Sequence, residues 1–412
     1  MSVVRAVQPV HELKVSARTR LAHPALLLAG IVLVALNMRA CLAAVSPMVG
    51  EIQRTFGLSA TASGLITTVP VLFQGVGAPL TPRLARRFGT ERVVLGAVLV
   101  LGAGVLLRVL PSVAALYAGC VVIGVAIAVL NVSMPGLVKR EFPARAAAMT
   151  GVYSTTMLVG ATLAAGLSVP LEHVLGGGWQ ASLGSWSVLA VVAAVAWLPQ
   201  VLRSRQERAA VAAAPAGRAV EGIWRNGLAW RISLFMGISS LLVYTLVAWM
   251  PTILADHGMD RGRAGLVFAF SNLVQVAGAF LVPLAAGRMT RQRGLAVAMA
   301  LLNAAGIAVL LLAPVGGAWV AAGVLGLAQG GSLGLALAFI VLRTGSAAGA
   351  AQLGGMSQAV GYLVAAAGPV GAGALHQASG GWGLVLVVML GLTGIAAAAG
   401  WGAGRDTVLG AR

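Results

Sequence analysis

Acidic residues are scarce in this chain: ten among 412, against 28 lysines and arginines. They are Glu12, Glu51, Glu91, Glu141, Glu172, Glu207, Glu221, Asp256, Asp260 and Asp406, and each falls in a tail, a loop or the end of an apolar run. This placement argues against a buried carboxylate as a proton carrier and against paired carboxylates as acid–base machinery. Cysteine is rarer still. Cys41 and Cys120 both lie inside apolar stretches, so neither a disulfide framework nor a metal cluster is indicated, and no metal or cofactor is expected. Both read as small core residues. Charge of either sign makes up 9% of the chain and hydrophobic residues 59%. A soluble domain carries about 25% charged and ~45–50% apolar residues, so an ordinary soluble protein is excluded. The net charge of +18 would suit nucleic acid if it gathered on one polar face, but apolar runs of ~20 residues interrupt it throughout. Those basic residues are better placed anchoring loops against anionic lipid.

What the chain does have is long apolar runs bounded by Gly, Pro and Arg clusters. They predict twelve transmembrane helices near 24–48, 63–82, 92–110, 115–138, 147–170, 183–201, 229–252, 264–287, 294–314, 318–342, 350–375 and 382–403. The expected fold class is an all-α membrane protein built from two six-helix bundles: 24–201 and 229–403, joined by a basic linker at 202–228. The segments 1–23 and 404–412 read as cytoplasmic tails. The run after residue 23 is too long for a signal-peptide core, and no small-residue cleavage pattern follows it. With the N-terminus inside, alternate segments facing the cytoplasm hold 4, 4, 3, 6, 3, 1 and 2 basic residues. The outer loops hold only Arg54, Arg108, Arg261 and Arg263. That asymmetry places both termini in the cytoplasm. A monomer in the lipid bilayer is expected.

The halves resemble each other. GLITTVPVLFQGVGAPLTP from Gly64 lies on GLVFAFSNLVQVAGAFLVP from Gly265 without a gap, which pairs Gln74 with Gln275 and Pro82 with Pro283. A duplicated chain of this kind is the signature of a transporter built from parallel repeats.

Polar side chains inside lipid turn toward a cavity or a partner helix. Spans 3, 6, 9 and 12 carry almost none and read as lipid-facing; the other eight read as pathway-lining. Arg39 is the sharpest feature, about fifteen residues into its run, near the midplane. An arginine there costs at least ~2.5–3.5 kcal/mol on insertion scales, and it cannot lose its proton. Two readings stand: its guanidinium binds an anionic or strongly polar solute through paired hydrogen bonds, or it packs helices with carbonyls and amides as partners. The absence of a carboxylate at that depth favours the solute. Gln74, Gln275 and Gln358 can donate and accept, as a solute site needs, yet single amides also bridge helices. Gln358 and Tyr362 share one helix face; Tyr153 and Asn272 complete the candidates. Asn37, two residues from Arg39, points elsewhere and suits helix packing. Trp401 and Trp249 suit an aromatic belt, and His376 a surface position near an outer end.

The runs LNMRACLAAVSPMVGEI at 36–52, TTVPVLFQG in the second span, MPGLVKREFP at 134–143, AWMP at 248–251 and GMSQAVGYLVAAAGP at 355–369 resemble the cyanate and 2-nitroimidazole porter family of the major facilitator superfamily. The resemblance covers about 24–375 and implies a bacterial plasma-membrane carrier of a small polar or anionic solute, with two bundles around a central cavity. The Asn-Met-Arg triplet carries Arg39 onto that family's intramembrane arginine. One departure stands out: in PRLARRFGTER the superfamily's usual glycine and aspartate are Pro82 and Arg86, so the charge contact of this loop must be remade or absent. Arg87, Lys139, Arg140 and Glu141 are the gating candidates on these cytoplasmic loops. A multidrug exporter of the same fold is the alternative, but the run GVYSTTMLVGATLAAGL of the fifth span has neither the acid nor the internal proline such a carrier would use. An enzyme would want a metal cluster or an activated nucleophile, and none is present.

Overall fold

The computed structural model describes residues 23–58, 60–210, 220 and 222–409. The expected tail 1–23 therefore lies almost wholly outside the described residues, as do most of the linker's middle and 410–412. Twelve helices are long and apolar enough to cross a membrane. The helices that carry these crossings are α1 (His23–Ala43), α2 (Ala60–Gly77), α3 (Thr90–Arg108), α4 (Val113–Glu141), α5 (Ala146–Leu175) and α6 (Gly178–Ala210), followed by α7 (Gly227–Asp256), α8 (Arg261–Gly287), α9 (Arg293–Leu312), α10 (Ala318–Leu342), α11 (Ala347–Ser379) and α12 (Gly383–Ala403). Two short helices, Val49–Phe56 and Thr81–Phe88, prolong the first and second crossings.

Two boundaries differ from the sequence reading for physical reasons. The first crossing is not one helix to residue 48: α1 stops at Ala43, Pro47 enforces a 3₁₀ turn over Ser46–Met48, and a fresh helix starts at Val49. The interruption leaves the Cys41 carbonyl without a helical donor, and Arg108 of α3 supplies one, Nη1 to O at 2.9 Å. Arg108 thus caps the C-terminal end of α1, where a cation also meets the negative end of the helix dipole. It is fully buried, which corrects its assignment to an outer loop. At the other boundary, α6 runs on to Ala210, into the stretch read as linker. Its added residues, LRSRQERAA at 202–210, are ready helix formers apart from one serine.

Both halves are helix bundles packed on small residues. In the second half, α8 and α10 approach to backbone contact: a methyl on Gly330 would stand 1.9 Å from the Gln275 carbonyl oxygen, and one on Gly326 2.3 Å from that of Ser271. Lipid offers no hydrophobic drive for helix association, so close packing of this kind is what holds such helices together. Helices α3, α6, α9 and α12 lie outermost, with apolar side chains such as Leu99, Val195, Leu301 and Val387 more than half exposed.

The end of the bundle where His23 and Leu409 lie is called here the near end. The halves close on each other there. Gly136 of α4 lies under Ala347 and Ala351 of α11, Gly355 of α11 under Pro82, and Gly287 of α8 against Ala147 of α5. The Ser154 hydroxyl donates to the Ala279 carbonyl across the same interface, at 2.9 Å.

Candidate functional site

The centre of the bundle is a buried polar layer in an otherwise apolar interior. Arg39, on α1 of the first half, donates from Nη1 to the Tyr244 hydroxyl on α7 of the second, at 3.1 Å. Its guanidinium carbon also stands 5.9 Å from the centre of that ring. The Tyr362 and Tyr153 phenols lie within electrostatic range of the same guanidinium. The chain has four tyrosines, and three of them surround its one mid-membrane arginine. A small pocket lies beside Arg39, walled by Met236, Ser239, Ser240, Val243, Tyr244, Leu333 and Ala336. Arg39 is the first half's contribution to that wall.

Asn131 of α4 organises the rest of the layer. Its Nδ2 donates to Gln74 Oε1 at 3.3 Å and to the Tyr362 hydroxyl at 3.1 Å. Its Oδ1 accepts from the Tyr153 hydroxyl at 3.0 Å. Gln74 closes the chain by donating from Nε2 to the Pro70 carbonyl at 3.3 Å, an acceptor on its own helix. Arg39–Tyr244 and Asn131–Tyr362 are thus two hydrogen bonds that cross from one half to the other at mid-depth.

Of the residues singled out in the sequence, Arg39, Gln74, Tyr153 and Tyr362 meet in this layer. Gln74 is occupied by Pro70 and Asn131 rather than offered to a solute. Gln358 is fully buried one turn from Tyr362, and neither amide atom has a partner among the described residues. Gln275 lies at the α8–α10 crossing, where its backbone meets Gly330. Asn272, on α8, is partly exposed. Asn37 faces α6, donating to the carbonyls of Leu33 at 3.2 Å and Leu189 at 2.8 Å. Asn131 and Tyr244 stand out in the sequence only as polar residues within spans. Nothing in a single span tells which of its faces will meet the arginine.

At the near end, the charge contact missing from the loop after α2 is remade by Glu91, at the start of α3. Its carboxylate pairs with Arg140 at the end of α4, and Arg140 Nε also donates to Glu141 at 2.6 Å. Trp197 of α6 donates to the Glu91 carbonyl at 3.0 Å, tying three helices together. Arg87 is exposed, its guanidinium 5.2 Å from the Phe88 ring centre, and Lys139 is half-buried beside Arg140. The repeat register of 201 residues carries Glu91 onto Gln292. In the second half Arg343 of the α10 end donates to Gln292 Oε1, and its Nε donates to the Ala403 carbonyl at 3.0 Å. Arg343 is therefore buried rather than in a solvated loop, and burial lowers its pKa from the ordinary guanidinium value while Asp406 works against that fall. His376, read as a surface residue near an outer end, is partly exposed; its ring stacks on Trp382 at 4.0 Å, and Trp382 donates to Asp256 at 2.8 Å.

Two six-helix halves, an interface closed at one end and a polar layer at mid-depth define a membrane carrier. The comparisons agree: the family model of the Major Facilitator Superfamily matches residues 27–366, and the chain belongs to that superfamily. It is 39% identical over 383 residues to the 2-nitroimidazole transporter of Escherichia coli (strain K12), covering 92% of this chain and 95% of that protein. It is 28% identical over 354 residues to the cyanate transport protein CynX of the same organism, covering 85% and 90%. Among solved structures, the proton:xylose symporter XylE bound to 6-bromo-6-deoxy-D-glucose superposes with a TM-score of 0.78 at 12% identity, covering 94% of this chain and 98% of that one. That likeness is one of fold.

Proposed function

We propose that this protein moves a small anionic or strongly polar solute, of the size and polarity of cyanate or a nitroimidazole, across the bacterial plasma membrane by alternating access, with Arg39 holding the solute's acceptor group. The observation that carries the reading is the environment of Arg39. Among the described residues its charge is met by phenol oxygens and no carboxylate, and a small pocket lies beside it. A buried cation without a counter-charge is expensive, and a solute that brings the negative charge relieves that cost at the moment of binding. The names of the two relatives point to solutes of this class.

The basic residues put the near end in the cytoplasm. On this reading the halves are closed toward the cytoplasm, and solute reaches Arg39 from the far end. Alternating access then requires the near-end contacts to part while the far end closes. Arg87, Lys139, Arg140 and Glu141 sit where that opening would occur. The test is a thermal-shift screen of purified protein against cyanate, 2-nitroimidazole and small organic anions, since a ligand that binds the folded state raises its melting temperature by mass action. The parent should be stabilised by at least one of these, and Arg39→Ala by none; equal shifts in both would remove Arg39 from the site.

A further inference from the structure

The polar layer has a direction. A backbone carbonyl can only accept, so Pro70 fixes the Gln74 amide with its NH₂ toward the carbonyl and its Oε1 toward Asn131. Asn131 must then turn its NH₂ to Gln74, and the second hydrogen of that same group reaches the Tyr362 oxygen. Its Oδ1 is left facing Tyr153, whose single proton goes there at 3.0 Å in preference to the weaker acceptor Met38 Sδ at 3.7 Å. On the other side, a guanidinium can only donate, so the Tyr244 oxygen accepts from Arg39. Both phenols of the second half, Tyr244 and Tyr362, therefore accept from the first half, and their own protons have no acceptor among the described residues. They are electrostatic neighbours of each other and of Arg39.

We infer that the Arg39 edge of the site offers donors alone, the free N–H groups of Arg39 and the O–H of Tyr244 on the pocket wall with the O–H of Tyr362 buried just behind it, and so selects a solute edge made only of acceptors: nitro, carboxylate or a cyanate terminus. Asn131 is the positioning residue that sets this polarity. It touches no solute itself and acts by holding the Tyr362 oxygen. Ser239 and Ser240, on the cavity wall, can turn either way and so tolerate a donor elsewhere on the solute. A carboxamide has nearly the outline of a nitro group, but it would aim N–H at N–H or O–H and leave a buried donor unpaired, which is the kind of mismatch a polar site rejects most strongly.

This rests on the proposed transport of an anionic or polar solute, and the experiment separates the two. Binding of cyanate and of 2-nitroimidazole to the purified full-length protein is measured first; if neither binds, the transport reading itself fails. Whichever binds is then compared with its donor-bearing isostere, cyanamide for cyanate and imidazole-2-carboxamide for 2-nitroimidazole. The parent should prefer the acceptor-only partner at least about tenfold, the equivalent of one hydrogen bond of ~1.4 kcal/mol. Tyr362→Phe, which deletes a free O–H, should cut that ratio several-fold by weakening the acceptor-only probe alone. Tyr153→Phe removes an equally buried O–H that is already spent on Asn131, and should keep the ratio. Asn131→Leu should collapse the ratio as Tyr362→Phe does, because the released phenol can turn its lone pairs to the solute. Equal binding of the isosteres by the parent, or equal losses of ratio in Tyr153→Phe and Tyr362→Phe, would overturn the inference.

Discussion

Arg39 carries a fixed charge into a layer whose other members are neutral, so substitutions there separate charge from shape. Arg39→Lys keeps the charge but replaces a planar fork with a compact ammonium, which cannot hold the Tyr244 oxygen and a solute oxygen in one plane. The expected outcome is solute uptake reduced at least tenfold, with folded protein still in the membrane; parental uptake by Arg39→Lys would show that charge alone suffices. At this scale the sequence was partly readable. Arg39 could be found because an ionisable residue deep in an apolar run is conspicuous on energetic grounds. Gln74 looked equally suited to a solute, since an isolated amide does not reveal that a carbonyl four residues back and an asparagine on another helix already occupy it.

Among elements, the crossing of α8 and α10 is the tightest, because glycines let one backbone rest on the other. Gly330→Ala should therefore lower the melting temperature of the purified protein, by the equivalent of about 1–3 kcal/mol or more, since the obstacle is backbone and cannot swing away. Gly391→Ala, in α12 with nothing within 4 Å of the new methyl, should be neutral or slightly stabilising through helix propensity. Matching losses at both sites would refute the contact. The spans themselves were legible from apolar length, since lipid demands that every backbone group be satisfied within the helix. The break after Ala43 was not, because residues 44–50 carry no charge on either side of Pro47 and the cap comes from Arg108, 67 residues away. The Glu91–Arg140 pair was hidden for a similar reason: the loop's usual acid is missing, and its replacement stands five residues beyond Arg86.

The whole molecule is closed at one end, and that closure can be made covalent. A Cβ on Gly136 would lie 3.3 Å from that of Ala351, close to disulfide spacing, while native Cys41 and Cys120 are buried and out of reach. Gly136→Cys combined with Ala351→Cys should cross-link on oxidation, stop counterflow in proteoliposomes and recover it on reduction. Continued counterflow in the oxidised protein would show that these helices need not part. Energy coupling is a property at the same scale. Glu141 is paired with Arg140, and Glu51 lies 3.6 Å from Arg54 on the short helix after α1; neither lines the Arg39 cavity. Glu51→Gln and Glu141→Gln should therefore leave both counterflow and any proton-driven accumulation as in the parent. Loss of accumulation alone in either variant would identify a carboxylate proton carrier.

The scarcity of tyrosine gives the protein a built-in spectroscopic reporter. Grown with 3-fluorotyrosine, it would carry four fluorine nuclei: three around Arg39, and one on Tyr117, whose hydroxyl donates to the Ala62 carbonyl at 2.8 Å in the first half alone. Solute occupancy would then register as movement of three ¹⁹F resonances against a fourth that serves as an internal reference. Because Tyr244 and Tyr362 ride on one half and Tyr153 on the other, the same spectrum would report the parting of the halves without a probe being attached to an introduced cysteine.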